Sequence, residues 1–244
     1  MQSFWGDDVK GIEFTPLPSP QKGFPLLSGL GYTAQMPFYE TIDIRPQTQL
    51  HLWKIEEPLD SLIARVPLQD HSLIRLHKLK SEVHQKGFLA VRHLLQHLGF
   101  SDADLLYDAS GKPHLSHKQH ISISHSHGFA AVAISNENLG LDVEAMRPKV
   151  LKIAPRFMDV DTHLSGLSLA EQLQKATIIW SIKEAVFKIK NEKGISYPSH
   201  ISEQPFDPAE GATVARLDFK HRTELFPVQF IQREDYIFVC VFKS

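Results

Sequence analysis

Two long segments with apolar side chains at helical spacing most constrain the fold of this chain. In the first, from about Lys78 to Leu98, apolar residues recur every three or four positions, and Gly99 follows as a stop signal. The second runs from about Leu169 to Ile189 and carries a similar stripe. Because such a stripe must be buried, each helix requires a sheet or another helix as its partner.

Short segments typical of strands lie before, between and after the two helices. Residues 48–55 alternate polar and apolar side chains, as a half-buried strand does. Further strands are predicted at 121–124, 129–135, 139–144, 213–219, 226–232 and 236–242. This order predicts an α+β fold with antiparallel sheets, built from two α/β halves of similar plan that join near residues 136–140.

The predicted organisation has three parts. Residues 1–35 hold many Gly and Pro and are expected to form an irregular N-terminal extension. Residues 36–138 are expected to form the N-terminal half, and residues 139–244 the C-terminal half, which carries the candidate metal-binding carboxylates.

Composition narrows the class of protein and its partners. The formal net charge of −2 argues against bulk nucleic-acid binding, so an anionic ligand requires a local cluster of cations. No apolar run approaches the ~18 residues of a membrane span, and we expect no membrane association. The single cysteine, Cys240, suits a reducing compartment, which makes the cytoplasm the expected location.

The segment Gly140–Glu144 places two acids two positions apart on a predicted strand. Residues at this spacing share one face, so Asp142 and Glu144 point together while Leu141 and Val143 point into the core. A hard divalent cation such as Mg²⁺ would relieve the repulsion between the acids. Two unrelated acids on a solvated strand face would give the same pattern.

The second helix carries Glu184 and Lys188 four residues apart on one face. In a functional site, Glu184 would be a third carboxylate on the metal, Lys188 would bind a phosphate, and Lys183 would add a cation. In the alternative interpretation, Glu184 and Lys188 form a surface ion pair worth a few tenths of a kcal/mol.

Two further motifs present polar groups near turns. His125 lies at a strand end within Ser122–Ser126, where its ring and the Ser124 hydroxyl could meet a phosphate. Gly111-Lys112-Pro113 is a turn signal that presents Lys112. A turn histidine bonded to a neighbouring carbonyl would explain His125 equally well.

Together, the motifs at 111–113, 122–126, 140–144 and 180–188 resemble the ordered motifs of 4′-phosphopantetheinyl transferases, in particular the large single-chain type that activates surfactin synthetase. Lys193-Gly194-Ile195-Ser196 also matches the family pattern. Two features depart from it: Ser122 stands where the family usually has Asn, and residues 1–35 have no recognised counterpart.

The resemblance implies a monomeric enzyme whose halves are related by pseudo-twofold symmetry. It implies Mg²⁺-dependent transfer of phosphopantetheine from coenzyme A to a serine of an acyl or peptidyl carrier protein, as in fatty-acid biosynthesis, with release of 3′,5′-ADP. The implied metal ligands are Asp142, Glu144 and Glu184. The implied catalytic residues are Glu184, Asp142, His125 and Lys188. The implied coenzyme A contacts are Lys80, Lys112, Ser124, His125, Lys183 and Lys188.

The cation for the nucleotide 3′-phosphate stays open. Lys80 is the candidate for this contact. It lies in a basic region that also holds Lys78, His84, Lys86 and Arg92.

Two alternatives come from other classes of protein. Five histidines fall within 14 residues and could build a zinc site: His114, His117, His120, His125 and His127. A non-catalytic module that binds a nucleotide or a carrier protein is the other alternative.

Overall fold

The structure is a computed structural model that describes residues 38–243. In chain order, the strands are β1 (Phe38–Arg45), β2 (Thr48–Lys54), β3 (Leu105–Tyr107), β4 (Pro113–Leu115), β5 (His120–Ser126), β6 (Phe129–Ser135), β7 (Leu139–Ala145), β8 (Ile201–Glu203), β9 (Ala212–Phe219), β10 (Arg222–Arg233) and β11 (Tyr236–Phe242). The helices are α1 (Leu59–Ala64), α2 (Asp70–Lys78), α3 (Glu82–His97), α4 (Lys149–Ile153), α5 (Val160–Leu164), α6 (Leu169–Lys190) and α7 (Tyr197–His200).

The strands form two large antiparallel sheets and one hairpin. The first sheet has the order β1-β2-β6-β5, and the second has the order β7-β11-β10-β9-β8. In the part of the chain that the structure describes, strands β3 and β4 pair only with each other. As a result, β5 is an edge of the first sheet and β7 is an edge of the second.

The elements stack in layers, with the two sheets between the two long helices. On one face of the first sheet, Trp53 and Val132 pack with residues of α3, such as Leu94. Its other face shares a core with the second sheet, formed by Leu50, Leu52, Phe129, Ala131, Ala133, Leu139, Leu141, Val143, Phe238, Cys240 and Phe242. The far face of the second sheet packs on α6 through Val239 and Ile179.

This layering explains the continuous apolar runs of β6 and β11. A strand between two packed layers buries both of its faces, so apolar residues appear at every position instead of alternating. All seven residues of β6 are buried, and β11 is buried from Ile237 to Phe242.

The α+β class with antiparallel sheets is confirmed, and each large sheet packs on one long helix. The predicted boundary of the halves at residue 138 and their pseudo-twofold relation stay predictions. The predicted N-terminal extension, residues 1–35, lies outside the described residues.

Two local expectations were wrong. Strand β2 was expected to be half-buried, yet Leu50 to Trp53 are all buried because the strand lies between α3 and the second sheet. The first long helix begins at Glu82, and its predicted first residue, Lys78, is instead the last residue of a separate helix, α2. Among residues 38–243 we find no helix with the length and apolar content to cross a bilayer.

His51 on β2 predicts a loss of stability in acid. Its Nδ1 lies 2.8 Å from the Thr41 Oγ1, and burial lowers the pKa of its imidazole to about 4. In the unfolded chain His51 is therefore protonated near pH 6.5, whereas in the folded chain it is protonated only near pH 4. At pH 5 this difference costs about 2 kcal/mol of unfolding free energy.

We expect His51→Asn, which keeps a polar partner for Thr41, to lose this part of the pH dependence. Urea unfolding at pH 7.5 and pH 5.0 measures it. The drop in unfolding free energy between these pH values should be about 2 kcal/mol smaller in the variant than in the wild type. An equal drop in both proteins would show that His51 is not the titrating group.

Candidate functional site

The site lies where the edges β5 and β7 meet. The two strands are joined by serine side chains, not by a backbone ladder. The Ser122 Oγ accepts the Leu141 N–H at 2.8 Å, and the Ser124 Oγ accepts the Val143 N–H at 3.2 Å. The alternating serines of β5 thereby satisfy backbone donors that an edge strand would otherwise leave unpaired.

The acids of β7 share one face, as the alternation predicted, and they point toward the serines of β5. The Ser124 Oγ lies 3.2 Å from the Asp142 Oδ1, and the Ser126 Oγ donates to the Glu144 Oε2 at 3.4 Å. Leu141 and Val143 point the other way, into the core between the sheets. Asp142 is 4% exposed, and its Oδ2 is buried with no hydrogen-bond partner among the described residues.

Glu184 on α6 adds a third carboxylate within electrostatic reach of Asp142. Burial, together with the charge of Asp142, raises the pKa of Glu144 to about 7 and that of Glu184 to about 7. Three carboxylates that share one partly buried site oppose each other's ionisation. Such a site favours a cation.

Gly140 permits the close contact between β7 and α6. A Cβ at this position would overlap the carbonyl oxygen of Ala185, which follows Glu184 on the helix. Glycine therefore lets the backbones approach at the point that brings Asp142 and Glu184 together. The Gly of the Gly140–Glu144 motif thus has a steric role.

Lys188 is the cation nearest to these acids. Its Nζ donates to the Asp142 Oδ1 at 2.9 Å, the Ser124 Oγ at 2.9 Å and the Leu141 carbonyl at 2.8 Å. An ammonium has three N–H donors, so all three are used within the protein. In this structure Lys188 acts as the counter-ion of Asp142.

His125 packs against α3 at a glycine. A Cβ at Gly87 would lie 2.5 Å from the His125 Nδ1, so only glycine leaves room for the ring in the middle of this helix. The ring of His84 lies 6.1 Å away between centroids. Burial and the neighbouring His84 lower the pKa of His125 to about 4, so the imidazole is neutral near pH 7.

The other predicted coenzyme A contacts are spread over the molecule. Lys112 donates to the Oδ1 of Asn138, the residue just before β7, at 3.0 Å, which ties the turn that carries Lys112 to the start of that strand. Lys80 is exposed in the link between α2 and α3. Lys183 is buried, where it donates to the carbonyls of Tyr197 and Ile201 and lies 3.4 Å from the Glu203 Oε2. The structure therefore places Lys183 inside the fold and does not bring it to the carboxylate cluster.

The histidines expected for a zinc site lie against different partners. His114 contacts the Asp108 carboxylate at 3.1 Å, and the Nε2 of His127 lies 2.6 Å from an Arg147 nitrogen. Within residues 38–243, no group of three or more His, Cys, Asp or Glu residues is arranged to hold a metal ion. The described residues give the zinc alternative no support.

Asp142, Glu144 and Glu184 do not form such a group in the described residues either. Oxygens of Asp142 and Glu144 accept hydrogen bonds from Lys188, Ser126 and Trp180. The carboxylates are held by protein donors here, so their role as metal ligands is a proposal.

Sequence reasoning missed some residues of the site. Arg75 on α2 is a cation whose charge acts on His125, and its guanidinium lies 4.3 Å from the Tyr107 ring centroid. It was missed because α2 was not predicted. Arg92, by contrast, is buried and bonds to the Asp102 Oδ1 at 3.2 Å, so it is not free for a ligand. The Trp180 indole and the Tyr197 hydroxyl, which donate to carboxylates of the site, were also missed as donors.

Comparison with known proteins gives one family. The 4′-phosphopantetheinyl transferase superfamily model matches residues 138–239. The chain is 30% identical over 118 residues to 4′-phosphopantetheinyl transferase psf-1 of Bacillus pumilus, covering 46% of this chain and 50% of the relative. It is 32% identical over 107 residues to 4′-phosphopantetheinyl transferase gsp of Aneurinibacillus migulanus, covering 42% of this chain and 45% of the relative.

A longer match is to 4′-phosphopantetheinyl transferase ffp of Bacillus subtilis, 29% identical over 152 residues, covering 59% of this chain and 67% of the relative. The chain spans about half the length of the first two of these relatives.

Proposed function

We propose that this protein transfers the phosphopantetheine arm of coenzyme A to a serine of a carrier protein, because residues 138–239 match the 4′-phosphopantetheinyl transferase superfamily model. The observation that carries the proposal is the set of three neighbouring carboxylates on β7 and α6, at a sheet junction where His125 and Lys188 also lie. Charge neutralisation and alignment are what phosphoryl transfer requires of a protein.

Asp142, Glu144 and Glu184 are the residues that would hold Mg²⁺. Oxygen-only ligands suit a hard cation, and the buried Asp142 Oδ2, which has no hydrogen-bond partner within residues 38–243, is an open acceptor for it. When bound, the ion would neutralise charge on the diphosphate. Lys188 forms an ion pair with Asp142, and a contact of Lys188 with phosphate would require it to exchange one of its present bonds.

In the proposed reaction, the serine Oγ of the carrier attacks the phosphorus that bears the pantetheine arm. A new P–O bond forms to the serine, and the bond from that phosphorus to the oxygen of the leaving 3′,5′-ADP breaks. Glu184 takes the serine proton, and His125 donates a hydrogen bond to the diphosphate from its neutral ring. The carboxylates of Asp142 and Glu144 provide the negative charge that attracts a cation to the site.

For the nucleotide part of coenzyme A, we propose Arg75 and His84 as phosphate contacts beside His125, together with Lys112, which bonds to Asn138. Lys80 stays a candidate because it is exposed and follows α2. Ser124 links β5 to Asp142 and Lys188, so we propose that its role is to position these two side chains. Lys183 holds the chain at Ile201, and we assign it to the fold.

The acceptor class follows from the same proposal. The partner would be an acyl or peptidyl carrier protein of fatty-acid, polyketide or peptide synthesis, and we propose a cytoplasmic monomer as the working form.

The direct test is release of 3′,5′-ADP. The protein is incubated with coenzyme A, Mg²⁺ and a purified apo carrier protein, and the nucleotide is quantified by chromatography. We expect ADP release that requires the carrier and stops with EDTA. Tight coenzyme A binding by calorimetry without any release, across fatty-acid and peptide carriers, would instead support a non-catalytic binding module.

A further inference from the structure

Two aromatic side chains that no motif assigned to chemistry donate hydrogen bonds to carboxylates of the site. They are Trp180, on α6, and Tyr197, the first residue of α7. Neither side chain carries a charge, so both can hold a carboxylate without lowering the site's demand for a cation.

Trp180 holds Glu144. It lies one helical turn before Glu184, so both side chains leave α6 on the same side. Its Nε1 donates to the Glu144 Oε1 at 3.1 Å, while the Ser126 Oγ donates to the Glu144 Oε2. The carboxylate of β7 is therefore fixed from α6 on one side and from β5 on the other.

Tyr197 holds Glu184. A hydrogen bond with its hydroxyl lowers the pKa of the Glu184 carboxylate. Its ring packs edge-on against Trp180, with centroids 5.7 Å apart, and against Phe187 at 6.0 Å. Its backbone carbonyl accepts a hydrogen bond from the Lys183 Nζ at 3.4 Å. Both ends of Tyr197 are thus anchored to α6, which fixes the direction of its hydroxyl.

Repulsion gives these bonds their importance. Glu144 and Glu184 both experience the negative charge of Asp142, and without a partner each would rotate away from it. A neutral donor offsets part of that repulsion and fixes the carboxylate's orientation, whereas a cationic donor would compete with a metal ion for it. Partners of this kind behind metal ligands set the orientation of the ligand oxygens.

We propose that Trp180 and Tyr197 are a pair of positioning residues that fix Glu144 and Glu184 for a divalent cation, each through one neutral hydrogen bond. The inference rests on the proposed function, because it gives the carboxylates their role in that reaction. Neither residue touches the reacting atoms.

The test uses the full chain and Mn²⁺ alone as the metal probe, followed by electron paramagnetic resonance of the free ion. The variants are Tyr197→Phe and Trp180→Phe, which keep a ring and remove the donor. The matched control is Tyr39→Phe, which removes the hydroxyl of an exposed tyrosine on β1. We expect each of the two variants to bind Mn²⁺ about 10-fold more weakly than the wild type, and the control to be unchanged.

A second readout separates positioning from general damage. In carrier-dependent ADP release, the Mg²⁺ concentration for half-maximal rate should rise in Tyr197→Phe and Trp180→Phe, while the KM for coenzyme A stays near the wild-type value. Unchanged Mn²⁺ affinity in Tyr197→Phe would overturn the proposal, and this variant decides alone if Trp180→Phe fails to fold. That result would leave the proposed function standing, which fails only if the wild type releases no ADP.

Discussion

Replacing Glu184 with Gln is expected to lower kcat/KM for carrier modification by at least ~10², equivalent to about 2.7 kcal/mol of transition-state stabilisation. The amide has nearly the same shape but cannot take the serine proton, and it removes one negative charge from the group that would hold Mg²⁺. Asp142→Asn should have an effect of similar size, because it also removes the partner of Lys188. Steady-state transfer to a purified apo carrier measures both.

The matched control is Glu192→Gln, which removes a partly exposed carboxylate just beyond α6 that pairs with Lys220. Its transfer rate should equal that of the wild type, because a surface ion pair contributes little. Retention of more than a third of wild-type activity in Glu184→Gln would exclude the catalytic role of this carboxylate.

Gly140→Ala is expected to destabilise the protein by about 3 kcal/mol, at the upper end of the usual cost of overpacking. The added methyl group would meet the carbonyl oxygen of Ala185, a backbone atom that cannot rotate away. Strand β7 and helix α6 would have to separate, and Asp142 would move away from Glu184. Urea unfolding gives the change in stability, and transfer activity should fall even where the variant is fully folded.

Gly166→Ala is the control, because it replaces a glycine by alanine without creating a steric clash. Its φ is +77°, and an added Cβ would meet no atom within 4 Å. It should cost only the ~1–2 kcal/mol of a left-handed backbone and leave activity intact. If Gly140→Ala were no more destabilising than Gly166→Ala, the close approach of β7 and α6 would not be a constraint on the fold.

The parts of the fold that local pattern determines were predictable. Helical periodicity located α6 to within one or two residues of its ends, and the α+β class followed from element order. The shared face of Asp142 and Glu144 followed from the alternation of a strand, and the core positions of Leu141 and Val143 agree with it. The same pattern could not say that β7 is an edge strand facing β5.

What stayed hidden depends on contacts between distant segments. The serines of β5 showed a clear alternation, but their bonds to the backbone of β7 require knowledge of which edges meet. Lys183 looked available because it neighbours Glu184, yet the helix is buried on several sides and Lys183 meets Glu203 of β8. Helix α2 was missed and Arg75 with it, while Gly87 gave no sign that a ring lay against it.

The most direct test of the central claim is intact-mass spectrometry of an apo carrier protein incubated with this protein, coenzyme A and Mg²⁺. Parallel samples contain EDTA, or Glu184→Gln in place of the wild type. We predict that the carrier gains the mass of one phosphopantetheine arm with the wild type and Mg²⁺, and that EDTA or Glu184→Gln abolishes most of the gain. An unmodified carrier in every sample, across fatty-acid, polyketide and peptide-synthetase carriers, would contradict the claim that this site transfers phosphopantetheine.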